Sequence, residues 1–399
     1  MKKSLLILLV FINCISVVFV YGQREYTTDT LSMGPGYAND IFYSFETGVV
    51  KEIERNTWDI AFYTPKFSAG IIVNGGKGAY LYTYPLGDTS DWAAVDTSGI
   101  DETWKPIYNS PSVWEDGAFK VNATGHPDFG WGTYNMATHN LTGDSIYIIK
   151  IPFGSTFLYK KLWIIGKQSL ANIYDIRYAD IDGSNEMTTS IEVAPYENKR
   201  FIYYSLLNNQ VIDRDPESSL WDILFTKYWD LTEDNEGNWV PYLVTGVTSN
   251  IDMGANEFYP VADDFNNWFE MPFDSAKNVI GYDWKSFDMG TFSWKIVDST
   301  AFFAQNYSGD VYKLTFAFWD GASTGKFALN KMLVSLSSVD DMNMVSEMTT
   351  YPNPASSYVN IAVSGEASYQ NLTIYNQNGQ IVYQTNIAGM DLNSGYKVD

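Results

Sequence analysis

The sequence is poor in the residues that carry hard chemistry. Its 399 residues include one cysteine, Cys14, and two histidines, His126 and His139. That excludes cysteine-rich zinc sites, iron–sulfur clusters and a disulfide framework. Positive charge is scarce as well: 25 Lys+Arg stand against 47 Asp+Glu, a formal net charge of −22. Nucleic acid and anionic lipid are gripped mainly by clustered Lys and Arg, so neither is expected as a partner. No Gly-x-Ser-x-Gly, His-Glu-x-x-His, phosphate-loop or dinucleotide fingerprint occurs. No stretch of the body holds a convincing helical period. The chain reads as a binding protein and not as an enzyme. A secreted hydrolase is the weaker alternative, because with 47 acids some carboxylate pairs are inevitable.

Aromatics and strand patterns are abundant. Lys2 and Lys3 precede an apolar run from Leu5 to Val20, closed by Tyr21-Gly22 before Gln23. A short basic start, an apolar core and a small terminal residue predict a signal peptide over residues 1–22. The run is too short and too interrupted, by Asn13 and Ser16, for a membrane span. Cleavage after Gly22 removes Cys14 and leaves a soluble, thiol-free acidic chain with no integral span. Beyond it, 13 Trp, 29 Tyr and 23 Phe suit pleated, half-buried surfaces. Trp58, Ile60 and Phe62 alternate with smaller or polar neighbours and are expected on one buried face. Tyr174, Ile176 and Tyr178 do the same and run into the turn pair Asp182-Gly183. Residues 145–151 are apolar on both faces and read as a central strand.

The pattern repeats. Asp40-Ile41-Phe42-Tyr43-Ser44-Phe45 is followed by Trp58-Asp59-Ile60-Ala61-Phe62. Later, Phe201-Ile202-Tyr203-Tyr204-Ser205-Leu206 is followed at similar spacing by Trp221-Asp222-Ile223-Leu224-Phe225. Further on, Trp131, Asp144, Ile148-Ile149 and Lys161-Leu162 recur in order as Trp284, Asp298, Phe302-Phe303 and Lys313-Leu314. Shared order and spacing predict an all-β chain with two tandem antiparallel domains, 23–195 and 196–340.

The first half resembles a family. Residues 43–48, Trp58-Asp59-Ile60-Ala61-Phe62, Asn74-Gly75-Gly76-Lys77-Gly78-Ala79, Gly130-Trp131-Gly132, His139 and residues 143–150 are similar to the HmuY family of secreted haem-binding proteins of Bacteroidetes. The second half is similar more faintly. The resemblance implies an antiparallel β fold that clasps haem between finger-like strands through two axial ligands. On this chain it points to His139 with His126 or Met136 as the haem ligands. The second half has no histidine and cannot repeat that ligation. The competing reading is a surface module for glycan or protein. It predicts an exposed aromatic row in a groove and no flat slot beside His139.

After a linker over 341–350, the tail carries Tyr351-Pro352-Asn353-Pro354 and then Ile374-Tyr375 and Asn378-Gly379. These are short strands with a strong hairpin pair. The segment 351–399 resembles the type A C-terminal sorting domain of the type IX (Por) secretion system, a small immunoglobulin-like β-sandwich. The resemblance implies type IX machinery as a partner and a secreted or cell-surface location. Relative to that family, Tyr396-Lys397-Val398-Asp399 stands where further strands are expected. The expectation is an incomplete sandwich, and a periplasmic location if sorting fails. Two acidic stretches, 180–186 and 230–238, hold oxygen donors around a glycine and are read as solvated hairpin turns in preference to calcium loops.

Overall fold

In the computed structural model, the described residues are 26–336, 347–351, 357–364, 371–375, 381–387, 389, 390, 392 and 395–398. The expected signal peptide, Pro352-Asn353-Pro354 and Asn378-Gly379 lie outside them. Contacts divide the chain into a body, Arg24–Ser337, and a second unit that holds the tail.

The body is built from antiparallel strands and short 3-10 turns. Its first strands are β1 (Thr27–Ser32), β2 (Asn39–Ser44), β3 (Gly48–Glu54), β4 (Ile60–Tyr63), β5 (Ile71–Val73) and β6 (Tyr80–Thr83). Then come β7 (Gly132–Tyr134), β8 (Leu141–Gly143), β9 (Ile146–Phe153), β10 (Thr156–Gln168), β11 (Ile173–Asp180) and β12 (Met187–Glu192). The later part holds β13 (Phe201–Ser205), β14 (Gln210–Ile212), β15 (Ile223–Glu233), β16 (Trp239–Ser249) and β17 (Ala255–Phe258). It ends with β18 (Lys285–Asp288), β19 (Ser293–Ile296), β20 (Ala301–Gln305), β21 (Val311–Trp319) and β22 (Lys326–Ser335).

The two repeats exchange strands. β4 of the first repeat pairs with β13 of the second, placing Ile60 opposite Tyr204 and Phe62 opposite Ile202. Reciprocally, β15 pairs with β2, placing Ile223 opposite Tyr43 and Phe225 opposite Ile41. The registers are equivalent residue for residue. The polar anchors are equivalent too. Asp59 accepts from the Leu206 N–H, and Asp222 from the Phe45 N–H, each at 2.6 Å. Asn74 donates to the Trp58 carbonyl oxygen, Asn250 to that of Trp221. Each asparagine and aspartate thereby satisfies backbone groups that would be orphaned at a buried chain reversal.

Packing follows the exchange. One core gathers Ile60, Phe62, Trp131, Tyr147, Leu162 and Tyr174 with Ile202 and Leu206. The other gathers Ile223, Phe225, Trp284, Phe302, Leu314 and Leu329 with Leu31, Ile41, Tyr43 and Phe45. The N-terminal strands thus complete the later core: β1 closes the sheet β1-β22-β21-β20-β17 by pairing with β22. Residues 195 and 196, the expected boundary, separate the sequence repeats; the packing modules divide differently.

Two local expectations change. β4 is buried on both faces, since Ile60 and Phe62 enter one core while Trp58, Ala61 and Tyr63 enter another cluster with Phe201 and Tyr203. Trp58 precedes the strand, so it does not share the Ile60 face. Lys161 pairs with Ile148, and Lys313 with Phe303. The structural counterpart of Phe302 is therefore Tyr147, one residue from the match expected by sequence.

In the tail, β23 (Glu347–Tyr351), β24 (Val359–Ser364) and β27 (Tyr396–Val398) form one sheet. β25 (Asn371–Tyr375) and β26 (Ile381–Asn386) form a second. The Tyr383 and Tyr396 hydroxyls join them at 3.0 Å. β23 begins within the expected linker, at Glu347.

Candidate functional sites

The histidines sit on the hairpin β7–β8 and the loop before it. The Asn135 side chain accepts from the N–H groups of Ala137 and Thr138, and the His139 N–H donates to the Asn135 carbonyl oxygen at 2.8 Å. This tight turn holds His139 at φ 61°. Its Nδ1 lies 2.6 Å from the Tyr134 hydroxyl. The Tyr134 ring is 5.5 Å from the His126 ring and 6.0 Å from that of His139, centroid to centroid. The fold therefore brings both histidines to one tyrosine, on the protein surface. Phe67 and Phe129 complete this aromatic rim. Met136 lies in the same turn and is 73% exposed, with its thioether in solvent. Tyr134, absent from the sequence expectation, is the residue that both imidazoles touch.

A second concave surface has a different character. The hairpin β15–β16 is an arm of eleven paired positions, far longer than its counterpart β4–β5. With the hairpin β18–β19 it walls a groove of about 560 Å³. Tyr37, Tyr242, Tyr282, Phe287 and Trp294 line it, and Glu233, Asp234 and Asn235 contribute polar groups at the tip of the arm. Tyr242 is 61% exposed. Tyr37 is stacked on Trp319 at 5.3 Å, and Phe287 meets Trp294 edge-on at 5.4 Å. Lys285 closes the floor, donating to the carbonyl oxygens of Thr245 and Tyr282. Its ammonium lies over the rings of Trp284 and Trp319, and burial pushes its pKa down to about 7. Trp239 and Phe292, each more than half exposed, extend the apolar surface of the two hairpins. Of these residues, the sequence marked only Trp284, as a repeat position, and Glu233, Asp234 and Asn235, as part of an acidic turn; the lining aromatics it did not single out. The available signal was length: the run after Trp221-Asp222 continues as a strand well past the point where the run after Trp58-Asp59 stops.

The acidic stretches are turns. Asp180 and Asp182 accept from Ser184 and Asn185 within the β11–β12 turn. Asp234 accepts from the N–H groups of Glu236 and Asn238 at the tip of the arm. Among the described residues, no three His, Cys, Asp or Glu side chains converge as metal ligands.

Comparison with known proteins assigns the tail. Residues 349–399 match the family described as the secretion system C-terminal sorting domain. No curated protein and no solved structure matches the chain. The sorting domain supports secretion by the type IX system and points to a secreted or cell-surface location.

Proposed function

We propose that the body is a non-enzymatic binding protein displayed outside the cell, and that the groove between β15–β16 and β18–β19 takes a carbohydrate chain. The observation that carries this reading is five aromatic side chains in one groove, with carboxylates and an amide at its end. A pyranose ring presents an apolar C–H face that packs on an aromatic ring, while its hydroxyls need polar partners at the edge. The part of the arm past Thr226 has no counterpart in β4–β5, as expected of an extension added to a scaffold and not required by it. Affinity electrophoresis against a panel of soluble polysaccharides tests the proposal. Tyr242→Ala and Phe287→Ala, both at exposed positions, should abolish the retardation that the native protein shows. No retardation by any polysaccharide, or equal retardation of the variants, overturns it.

The second reading is haem binding of the HmuY type at the His126–Tyr134–His139 rim. It is supported by the resemblance of residues 43–79 and 130–150 and by the meeting of both histidines at one tyrosine. Axial ligation there falls to Nε2 of His139, because its Nδ1 is held by the Tyr134 hydroxyl. Haemin titration should then produce a shifted Soret band that His139→Ala removes. A spectrum equal to that of free haemin rejects this reading.

A further inference from the structure

A small cavity of about 80 Å³ lies within the body, where the two modules meet. Its lining includes one carboxylate, Asp40, and four cationic side chains, Arg55, Arg214, Lys227 and Lys277. In a chain with nearly twice as many acids as bases, that reversal needs a cause.

The hydrogen-bond inventory supplies one. The carboxylate and side-chain amide acceptors of the wall are occupied. Asp40 accepts from Arg55 at 2.8 Å, Arg214 at 2.9 Å and Thr226 at 2.7 Å. The Asn74 side-chain oxygen accepts from Lys77, and that of Asn109 from Val73 and Ala118. The donors are not. Trp58 Nε1, Arg214 Nε, Trp229 Nε1 and the Thr248 hydroxyl are buried without a protein partner. Lys277, buried over the Trp114 ring, has one acceptor, the Val113 carbonyl oxygen at 3.4 Å. On the far side of the lining, Arg200 lies on Trp114 and Trp221 with all three guanidinium nitrogens unpartnered. The acids nearest these cations are Asp215, beside Arg200, and Asp230 and Asp116, which act on Lys277.

An unmet buried donor is costly, and a water molecule meets it only by finding acceptors for its own hydrogens. Here the carboxylate and amide oxygens are already engaged, and only the Thr248 and Tyr228 hydroxyls are left to accept. A species that accepts and does not donate, and that carries negative charge, answers both the open N–H groups and the excess of cations. We propose that this cavity binds one small inorganic anion, a halide or a tetrahedral oxyanion, which ties the two modules together. Burial, and after it the Arg200 charge, hold the Lys277 pKa down to about 7.

The test uses the full-length secreted chain. It is dialysed into gluconate buffer and titrated with chloride, bromide, sulfate and phosphate at constant ionic strength while its melting temperature is followed. A saturable rise with at least one of these anions, and that anion in the cavity of soaked crystals, seen as a bromide anomalous peak or as tetrahedral sulfate density, is the expected result. Halide and oxyanion arms separate the two sources. Thr248→Val, close to isosteric, should weaken the midpoint of the titration by about tenfold, as loss of one hydrogen bond to a charged partner predicts. Melting temperatures that do not depend on the anion, or a cavity whose density fits water alone after both bromide and sulfate soaking, overturn the proposal. The bromide experiment needs no variant to fold.

Discussion

Removing the Phe45 ring should damage the module that its own sequence repeat does not contain. Phe45 is 1% exposed, meets Tyr312 at a tilt with ring centroids 5.2 Å apart and belongs to the core around Phe225, Trp284 and Phe302. Its reciprocal partner is Leu206, in the second repeat, which packs into the core around Phe62, Trp131 and Tyr147. A buried Phe→Ala change costs about 3–5 kcal/mol and Leu→Ala about 2–5 kcal/mol. At 1.4 kcal/mol per tenfold, 3 kcal/mol is roughly a hundredfold faster exchange for amides that exchange by opening the affected module. Hydrogen–deuterium exchange read peptide by peptide separates the possibilities. Phe45→Ala should accelerate exchange in residues 223–225 and 301–319 while residues 146–151 and 173–178 keep their protection. Leu206→Ala should produce the mirror image. If each variant weakens the half in which it lies in sequence, the strand exchange is wrong. If both give one uniform map, the two cores do not open separately and the modular description fails.

Three further outcomes follow from the same geometry. A Cβ on Gly76 would sit 2.6 Å from the Lys227 carbonyl oxygen, so Gly76→Ala should destabilise by about 1–3 kcal/mol in urea unfolding, against little change for Gly183→Ala's neighbour substitution Ser184→Ala. Lys167, Lys277 and Lys285 are pushed down by burial to about 7 from an ordinary 10.5. Between pH 7 and 9 the unfolded chain therefore binds more protons than the folded one, and stability should rise with pH, by at most about 2 kcal/mol for each such lysine; urea midpoints that fall or stay flat from pH 7 to 9 contradict these burials. Deleting residues 349–399 should keep the protein from the medium and the cell surface, measured by fractionation of the native cells; unchanged surface delivery would dismiss the tail as the sorting signal.

The strands were largely legible and their partners were not. Trp-Asp-Ile-x-Phe marks a strand start in each repeat, and Tyr174, Ile176 and Tyr178 alternate inward as the pattern predicts. Pairing is a different matter. Tyr43 and Tyr204 occupy equivalent positions, so Ile60 meets the same chemistry whether it pairs with its own repeat or the other. Local pattern cannot separate a self-closed repeat from an exchanged one, because the choice is made by long-range contacts. The one-residue slip between residues 147–148 and 302–303 has a related cause. Strands apolar on both faces carry no parity to fix the register. The histidines were visible as rare residues. The exposed aromatics of the arm were not, since Trp239 and Tyr242 look in sequence like any other strand aromatic.

What the repeats share is buried, and what they do not share is exposed. Trp58 and Trp221, Asp59 and Asp222, and Asn74 and Asn250 match in both identity and bonding, and all six are at most 7% exposed. These pairs close two cores and leave nothing available to a large ligand. The histidines belong to one repeat, and the extension of the arm past Thr226 to the other. The central cavity is different again, for it draws Trp58, Asn74 and Trp114 from one side and Arg214, Trp229 and Thr248 from the other. Duplication can supply a scaffold twice over, but a site that needs both copies exists only after they exchange strands. The donors of that cavity should therefore be assembled by folding of the whole body, and Phe45→Ala and Leu206→Ala should each weaken whatever the cavity holds, although neither residue touches it.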